Sequence, residues 1–275
     1  QVAHDSGWRM RPDALRQCIR DDRRAGLRPW LIIANAGSTD IGAVDPLEEL
    51  AAIAREEALW LHVDGAYGAA FALCEPGRRI LAGMSDSDSL IIDPHKGLFT
   101  SFGSGAVLLR DGTGLTSSLS ATGAYLSDAT NLAEASLAEP HQQSLELTRH
   151  FRGLRLWLPL QLCGVGAFRA ALEEKLLLSH YAWEQMQDMP GFATLNQPDL
   201  SIFALQALPQ RGNVNAFNRD LLDGLQREGN VFLTSTELDG RLVIRLAIMA
   251  LNTHRDDVDI ALDRLQWHSR RLQQS

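Results

Sequence analysis

The chain has no long apolar run. None of its hydrophobic stretches reaches the ~18 residues that a membrane-spanning helix needs, and no signal-peptide pattern opens the sequence. We therefore expect a cytoplasmic protein that does not enter a membrane. With 45% hydrophobic and 22% charged residues, the composition is typical of a globular protein with one or two packed domains.

Cysteine pairs and clustered positive charge are also scarce. Cys18, Cys74 and Cys163 are odd in number and far apart, with no CxxC pair, which favours reduced, mostly buried thiols over a structural zinc site. The formal net charge of −8 argues against nucleic acid, because such binding needs a basic face. No GxGxxG motif follows a predicted strand, which excludes a dinucleotide-binding dehydrogenase.

The first part of the chain alternates short apolar runs with helical patterns. A capping box is predicted at Asp45, with Pro46 in the first turn and Glu48 completing the box. The spacing of strand, helix and strand predicts a βαβ unit with parallel strands. The predicted helices of this part lie at 12–25 and 45–58, and the strands at 30–34, 59–61, 90–92 and 105–109.

The stretch 112–138 shows no apolar period and is typical of a functional loop or a disordered segment, and a different pattern of helices and strands follows it. Helix breaks are predicted at Pro159 and Gly164. After them come helices at 167–187, 214–228 and 253–266 and strands at 200–205, 231–233 and 242–248. We therefore expect an α/β large domain over 1–155 and a small α+β C-terminal domain over 156–275.

The most informative segments are His62-Val63-Asp64-Gly65-Ala66-Tyr67 and Asp93-Pro94-His95-Lys96. Each follows a short apolar run that is typical of a buried parallel strand, and ligands bind at the carboxyl ends of such strands. An acid and a lysine at neighbouring strand ends are what pyridoxal phosphate requires. The lysine forms the Schiff base, and the acid keeps the pyridine nitrogen protonated.

These segments, together with Asn35-Ala36-Gly37-Ser38-Thr39, occur in the order and spacing of one family. The chain resembles the group II pyridoxal-phosphate-dependent decarboxylases, and within them the aromatic L-amino acid decarboxylases, from Asp13 to about Leu265. The resemblance implies the large domain of fold type I (the aspartate aminotransferase-like fold of PLP-dependent transferases), with a parallel-rich sheet. It also implies pyridoxal 5'-phosphate as cofactor and a homodimer with the active site at the subunit interface. Family members carry a further segment ahead of this point, so we expect the N-terminal part to be lacking.

The resemblance also implies roles for single residues. Lys96 is the catalytic tether and Asp64 the partner of the ring nitrogen, while Ala66 packs on one face of the ring. His95 lies by the phosphate and the lysine, and Thr39 lies against the cofactor. Strand alternation agrees, because His62, Asp64 and Ala66 share one face. Asp93 stands where the aromatic branch often has asparagine, and we leave it out of the site because a carboxylate beside a phosphate must be turned away or paired.

Tyr125 is the candidate proton donor. In the family a mobile loop at this position carries a tyrosine that is credited with protonating the substrate carbon after carbon dioxide departs. The predicted activity is therefore decarboxylation of an L-amino acid, with aromatic amino acids favoured. Two alternatives stay open: other pyridoxal chemistry, such as aldehyde synthesis or carbon–carbon lysis, and a non-catalytic fragment or half of a split enzyme that needs a partner chain.

Overall fold

The computed structural model describes residues 1–119, 143, 144, 146 and 148–274. Within these residues the helices are α1 (Pro12–Arg24), α2 (Leu47–Glu57), α3 (Glu75–Ile80), α4 (Pro94–Gly97), α5 (Thr113–Leu119), α6 (Leu154–Gln187), α7 (Val214–Glu228) and α8 (Arg255–Gln274). The strands are β1 (Leu31–Asn35), β2 (Trp60–Asp64), β3 (Ser89–Ile92), β4 (Ala106–Leu109), β5 (Phe192–Thr194), β6 (Ile202–Ala207), β7 (Thr234–Leu238) and β8 (Arg241–Ala247). Two 3₁₀ helices, Gly68–Leu73 and Met84–Asp86, complete the set.

The first sheet has the order β1-β2-β3-β4. β1, β2 and β3 are parallel, which confirms the predicted βαβ unit, and β4 returns antiparallel to β3. The register pairs Asn35 with Asp64 and Asp64 with Ile91. The carboxyl ends of three consecutive parallel strands therefore meet at one edge of the sheet.

The two faces of this sheet differ in burial. Leu61 and Val63 of β2 point into the apolar core, where α2 and the 3₁₀ helix Gly68–Leu73 pack. The opposite face is open: Ile33 is 53% exposed and Trp60 is 40% exposed. Asp64 belongs to this open face, since residues two apart on a strand point the same way.

The second sheet is antiparallel, with the order β5-β6-β8-β7. It has its own core with α7 and α8, whereas the start of β6 packs on the core of the first sheet. Helix α6 contributes to both cores, through Leu172 to the first and Met186 to the second. We propose to keep the domain division at 155/156, with α6 as the element that joins the two parts.

Helix α6 is interrupted where the sequence predicts a break. Gly164 has φ 72° and ψ 154°, a conformation that interrupts a helix and that residues with a Cβ rarely adopt. Pro159 lies in the segment before this break. No helix in the described ranges is both long and apolar enough to span a bilayer.

Four sequence-based expectations are wrong. The stretch 112–138, expected to form a loop, begins with α5 at Thr113–Leu119. Asp45 caps no helix: its carboxylate accepts hydrogen bonds from the main-chain nitrogens of Met10 (2.7 Å) and Asn35 (2.7 Å), and α2 starts at Leu47 with no side-chain cap. The strand expected at 231–233 forms at Thr234–Leu238 instead. Cys74 is buried, but Cys18 is half-buried and Cys163 is exposed, so the thiols are not mostly buried.

Candidate active site at the strand ends

The ends of β2 and β3 are joined by main-chain hydrogen bonds. The amide of Gly65 donates to the oxygen of Ile91 at 3.1 Å, and the amide of Asp93 donates to the oxygen of Ala66 at 3.1 Å. The segment that follows Asp64 therefore runs beside the segment that leads to Lys96. The predicted acid and the predicted lysine lie on neighbouring strand ends.

Gly97 and Gly65 allow the 3₁₀ helix Gly68–Leu73 to pack closely behind these strand ends. A Cβ on Gly97 would lie 2.5 Å from the Cβ of Ala70, and one on Gly65 would lie 2.7 Å from the Cβ of Ala69. Real Cβ atoms do not approach so closely, so both positions need glycine for steric reasons. Behind them, the hydroxyl of the buried Tyr67 accepts from the amide of Ser201 at 2.7 Å. Burial raises the pKa of Tyr67 well above its ordinary value of 10.0, so this residue stays a neutral phenol.

Asp64 presents its carboxylate on the open face of the sheet. Its Oδ1 accepts a hydrogen bond from the main-chain amide of Ala66 at 3.1 Å, which fixes the carboxylate against the turn that follows β2. Two residues before Asp64, on the same strand, Nδ1 of His62 lies 2.7 Å from Oγ of Ser89. The same Oγ accepts a hydrogen bond from the indole nitrogen of Trp60 at 2.7 Å. A carboxylate next to an alanine leaves room for a flat ring over this part of the sheet.

Lys96 is the reachable lysine of this chain. The sequence contains two lysines, Lys96 and Lys175. The Lys96 side chain is 40% exposed, whereas that of Lys175 is 1% exposed. Nζ of Lys175 donates to Glu174 and to the main-chain oxygens of Leu251 and Thr253, so its three protons are all engaged. Of the two, only Lys96 can meet an incoming aldehyde.

Asp93 pairs with Lys96, a contact that sequence reasoning missed. Oδ2 of Asp93 lies 3.0 Å from Nζ of Lys96. Asp93 occupies the N-cap position of α4 but makes no cap hydrogen bond with its side chain. The spacing of three residues across a helix start is the only signal in the sequence for this pair.

His95 follows the same turn. Its Nδ1 lies 2.6 Å from the main-chain oxygen of Ser104, and because a carbonyl only accepts, Nδ1 carries the proton. In the neutral ring Nε2 is then an acceptor. The edge of the ring contacts Phe102, with the centroids 5.0 Å apart. The loop between α4 and β4 thus fixes the orientation of His95.

Thr39 lies in the loop after β1 and is held from the second sheet. The guanidinium of Arg245 on β8 donates to the main-chain oxygens of Thr39 and Asp40, the latter at 2.8 Å from Nε. Oγ1 of Thr236 on β7 donates to the carboxylate of Asp40 at 2.7 Å. No sequence pattern pointed to Arg245 or Thr236. The last predicted residue, Tyr125, lies outside the described residues.

The residues present fit three parts of pyridoxal phosphate: its aldehyde, its ring nitrogen and the face of its ring. Lys96 offers a reachable amine, Asp64 a carboxylate on the open face, and Ala66 a small side chain in the turn after Asp64. A metal centre is not formed: within the described part of the chain, no three His, Cys, Asp or Glu residues are grouped to hold an ion. A groove near Glu228 and His268, on α7 and α8, contains none of the site residues.

Known proteins resemble the chain in sequence and in structure. An aromatic-L-amino-acid decarboxylase of Bacillus atrophaeus is 32% identical over 262 residues, covering 94% of this chain and 54% of its own length. A phenylacetaldehyde synthase of Petunia hybrida is 31% identical over 271 residues, covering 94% and 53%. The crystal structure of Catharanthus roseus tryptophan decarboxylase in complex with L-tryptophan matches with a TM-score of 0.88 and 26% identity, over 98% of this chain and 57% of that one.

Two conclusions follow from these matches. The architecture is that of the fold type I pyridoxal-dependent enzymes, with a parallel-rich sheet and an α+β second part, and the chain spans about half the length of the curated relatives it matches. The family model described as the pyridoxal-dependent decarboxylase conserved domain matches residues 1–206, which include both strand ends. The chain therefore belongs to the pyridoxal-dependent decarboxylase family, whose cofactor is pyridoxal 5'-phosphate.

Proposed function

We propose that this chain carries the tether and the acid of a pyridoxal phosphate site that decarboxylates an L-amino acid to an amine and carbon dioxide. One observation carries the proposal: Lys96, the reachable one of two lysines, lies in the turn that follows β3, and Asp64 ends the neighbouring strand β2. An aromatic substrate is favoured by the relatives, among them the Bacillus atrophaeus aromatic-L-amino-acid decarboxylase. The reaction would place the protein among the carboxy-lyases.

Each residue has a distinct task in this proposal. Lys96 would hold the cofactor through Nζ until the substrate amine takes its place, and Asp64 would keep a proton on the ring nitrogen. Ala66 packs on the ring, and His95, held in place through Nδ1, lies by the phosphate and Lys96. Thr39 packs against the cofactor from the loop that Arg245 fixes.

The bound cofactor supplies an electron-poor ring that stabilises the charge left on the substrate carbon when carbon dioxide departs. The protein orients the carboxylate that leaves, keeps water out and returns a proton. We propose the hydroxyl of Tyr125 as the donor of that proton to the substrate carbon, and Lys96 as the group that would hold the cofactor between turnovers.

We propose that the working form is a cytoplasmic homodimer with the site at the subunit interface. The open face of the first sheet supports association, since Ile33 and Trp60 are exposed there, and so does Trp157 on α6, which is 56% exposed. The three free thiols support a reducing compartment. Sedimentation velocity across a range of protein concentrations tests the dimer, and a mass that stays monomeric contradicts it.

A second candidate is aldehyde synthesis, which the Petunia hybrida phenylacetaldehyde synthase brings into consideration. Amine with carbon dioxide indicates decarboxylation, whereas aldehyde with ammonia and peroxide indicates oxidation. A third candidate is half of a split enzyme, or a non-catalytic fragment, because the chain spans about half the length of its curated relatives. A split enzyme predicts turnover only after the partner chain is added, whereas a non-catalytic fragment predicts no turnover in either case.

The direct test uses the two lysines. The purified protein is incubated with pyridoxal phosphate, and borohydride then fixes any C=N bond to Nζ as a stable amine. Peptide mass spectrometry should show the adduct on the Lys96 peptide and not on that of the buried Lys175. Lys96→Met should remove the adduct and the absorbance band of the bound cofactor. Equal labelling of both lysines, or no adduct on Lys96, contradicts the proposal.

A further inference from the structure

Asp93 is the charged group in contact with the nitrogen of Lys96. The 3.0 Å contact joins the Asp93 carboxylate to Nζ within one short turn. The Asp93 side chain is 21% exposed and Lys96 is 40% exposed, so water reaches the pair from one side. Among the described residues this is the one ion pair formed by either partner.

The position of Asp93 makes this contact unusual. Aspartate at an N-cap normally accepts from the first amides of the helix, because those amides have no partner inside it. Asp93 makes no such bond, and its backbone is held instead by the amide that donates to Ala66. Its second oxygen, Oδ1, lies 3.0 Å from where a Cβ of Gly105 would be, so the absence of a side chain at Gly105 gives the carboxylate its place.

The pair has a chemical consequence for Lys96. The ion pair engages Nζ as an ammonium, which has no lone pair with which to attack. Lys96 must first release one proton to solvent and leave Asp93. The amine then forms the bond to an aldehyde carbon, and the aldehyde oxygen departs as water.

We propose that Asp93 is the resting counter-ion of Lys96 and slows every reaction in which this lysine acts as a nucleophile. Asp93 therefore controls how fast the free chain captures its cofactor. The inference rests on the proposed function for the identity of the aldehyde, but the reactivity of Lys96 can be measured without it.

Acetic anhydride is the probe, at neutral pH and low ionic strength. The lysine nitrogen forms an amide with one acyl carbon, acetate leaves and the proton goes to the buffer. Peptide mass spectrometry follows Lys96, with the buried Lys175 as internal reference. Asp93→Asn, which keeps size and shape, should raise the rate at Lys96 about two- to fivefold, the factor expected of a solvent-exposed ion pair. High salt should raise the wild-type rate toward that of the variant.

Asp86→Asn is the matched control. Asp86 lies near the amino end of β3 and pairs with Arg55, so the change removes one charge and one ion pair away from Lys96. Circular dichroism confirms that both variants fold. An unchanged or lower rate in Asp93→Asn, or an equal rise in Asp86→Asn, overturns the inference.

Parallel incubation with pyridoxal phosphate separates the two ideas. Faster acetylation in Asp93→Asn without any pyridoxal adduct on Lys96 supports the counter-ion and contradicts the proposed function. A pyridoxal adduct on Lys96 in the wild type, with no change of acetylation in the variant, supports the function and overturns the counter-ion.

Discussion

Arg245 donates from Nε to the main-chain oxygen of Asp40 at 2.8 Å, across 205 positions of the sequence. The same guanidinium reaches the oxygen of Thr39 and, at 3.0 Å, the hydroxyl of Thr234. The loop that ends β1 at the candidate site is thus held by a side chain of the second sheet. Motion of the second sheet against this loop would have to break the bonds from Arg245 to Thr39 and Asp40.

Arg245→Met should lower the free energy of unfolding by about 1–3 kcal/mol, because bonds from a charged donor are lost and two loop carbonyls lose their partner. It should also weaken the binding of pyridoxal phosphate, since Thr39 is no longer fixed. Urea unfolding and a cofactor titration measure the two effects. Arg219→Met, an exposed position on α7, should change neither. Equal losses in both variants contradict the role of Arg245.

The same substitution at the two lysines should lower the free energy of unfolding by very different amounts. Lys175→Met should lower the free energy of unfolding by about 3 kcal/mol, because the oxygens of Leu251 and Thr253 lose a buried charged donor. Lys96→Met should cost less than about 1 kcal/mol, because its ion pair is exposed to solvent. Urea unfolding of the two variants measures the difference. A larger loss at Lys96 than at Lys175 is the result that would refute this prediction.

Tyr67→Phe should lower the free energy of unfolding by about 1–2 kcal/mol, because the buried amide of Ser201 loses its acceptor. The wild type should also lose stability as the pH rises above 10.0, the ordinary value for tyrosine. Burial raises the pKa of Tyr67 in the folded state, so the unfolded chain releases the proton first and gains from high pH. Unfolding of both proteins over a pH series, taken as a difference, isolates this contribution. A difference that does not shrink above this pH contradicts it.

Tyr125→Phe should shift the products from amine toward aldehyde, if the proton donor is the Tyr125 hydroxyl. Quantification of amine, aldehyde and peroxide after reaction with an aromatic L-amino acid measures the shift. Tyr181→Phe is the matched control, because the Tyr181 hydroxyl donates to Asp259 between α6 and α8 and should leave the products unchanged. An unaltered amine yield in Tyr125→Phe would remove Tyr125 from the mechanism.

Short sequence patterns correctly predicted the features that depend only on neighbouring residues, such as the face of a strand residue or the break of a helix. The alternation along β2 correctly placed Asp64 on the face opposite Val63, because the side-chain period of a strand leaves no other choice. The break at Gly164 was predicted for the same kind of reason. The roles assigned to Lys96, Asp64, Ala66, His95 and Thr39 stay predictions, since they concern a molecule that the folded chain alone does not reveal.

Competition between partners explains what the sequence did not predict. Asp45 has the sequence of a helix cap, but two main-chain amides of the β1 strand and the N-terminal segment bind its carboxylate instead. Asp93 likewise makes no cap hydrogen bond to α4, and its carboxylate pairs with Lys96 instead. Arg245 reaches Thr39 only because two sheets pack together, and no pattern of neighbouring residues records a contact 206 positions apart.

Covering the open face of the first sheet would couple two equilibria, the association of the chain and its binding of the cofactor. A surface that covers Ile33 and Trp60 would also exclude water from Asp64, and a lower local dielectric strengthens the attraction between that carboxylate and a charged ring nitrogen. If the proposed association occurs through this face, association and cofactor binding would promote each other by one common factor, because coupling between two binding events is reciprocal. The apparent affinity for the cofactor should accordingly rise with protein concentration, as mass action requires.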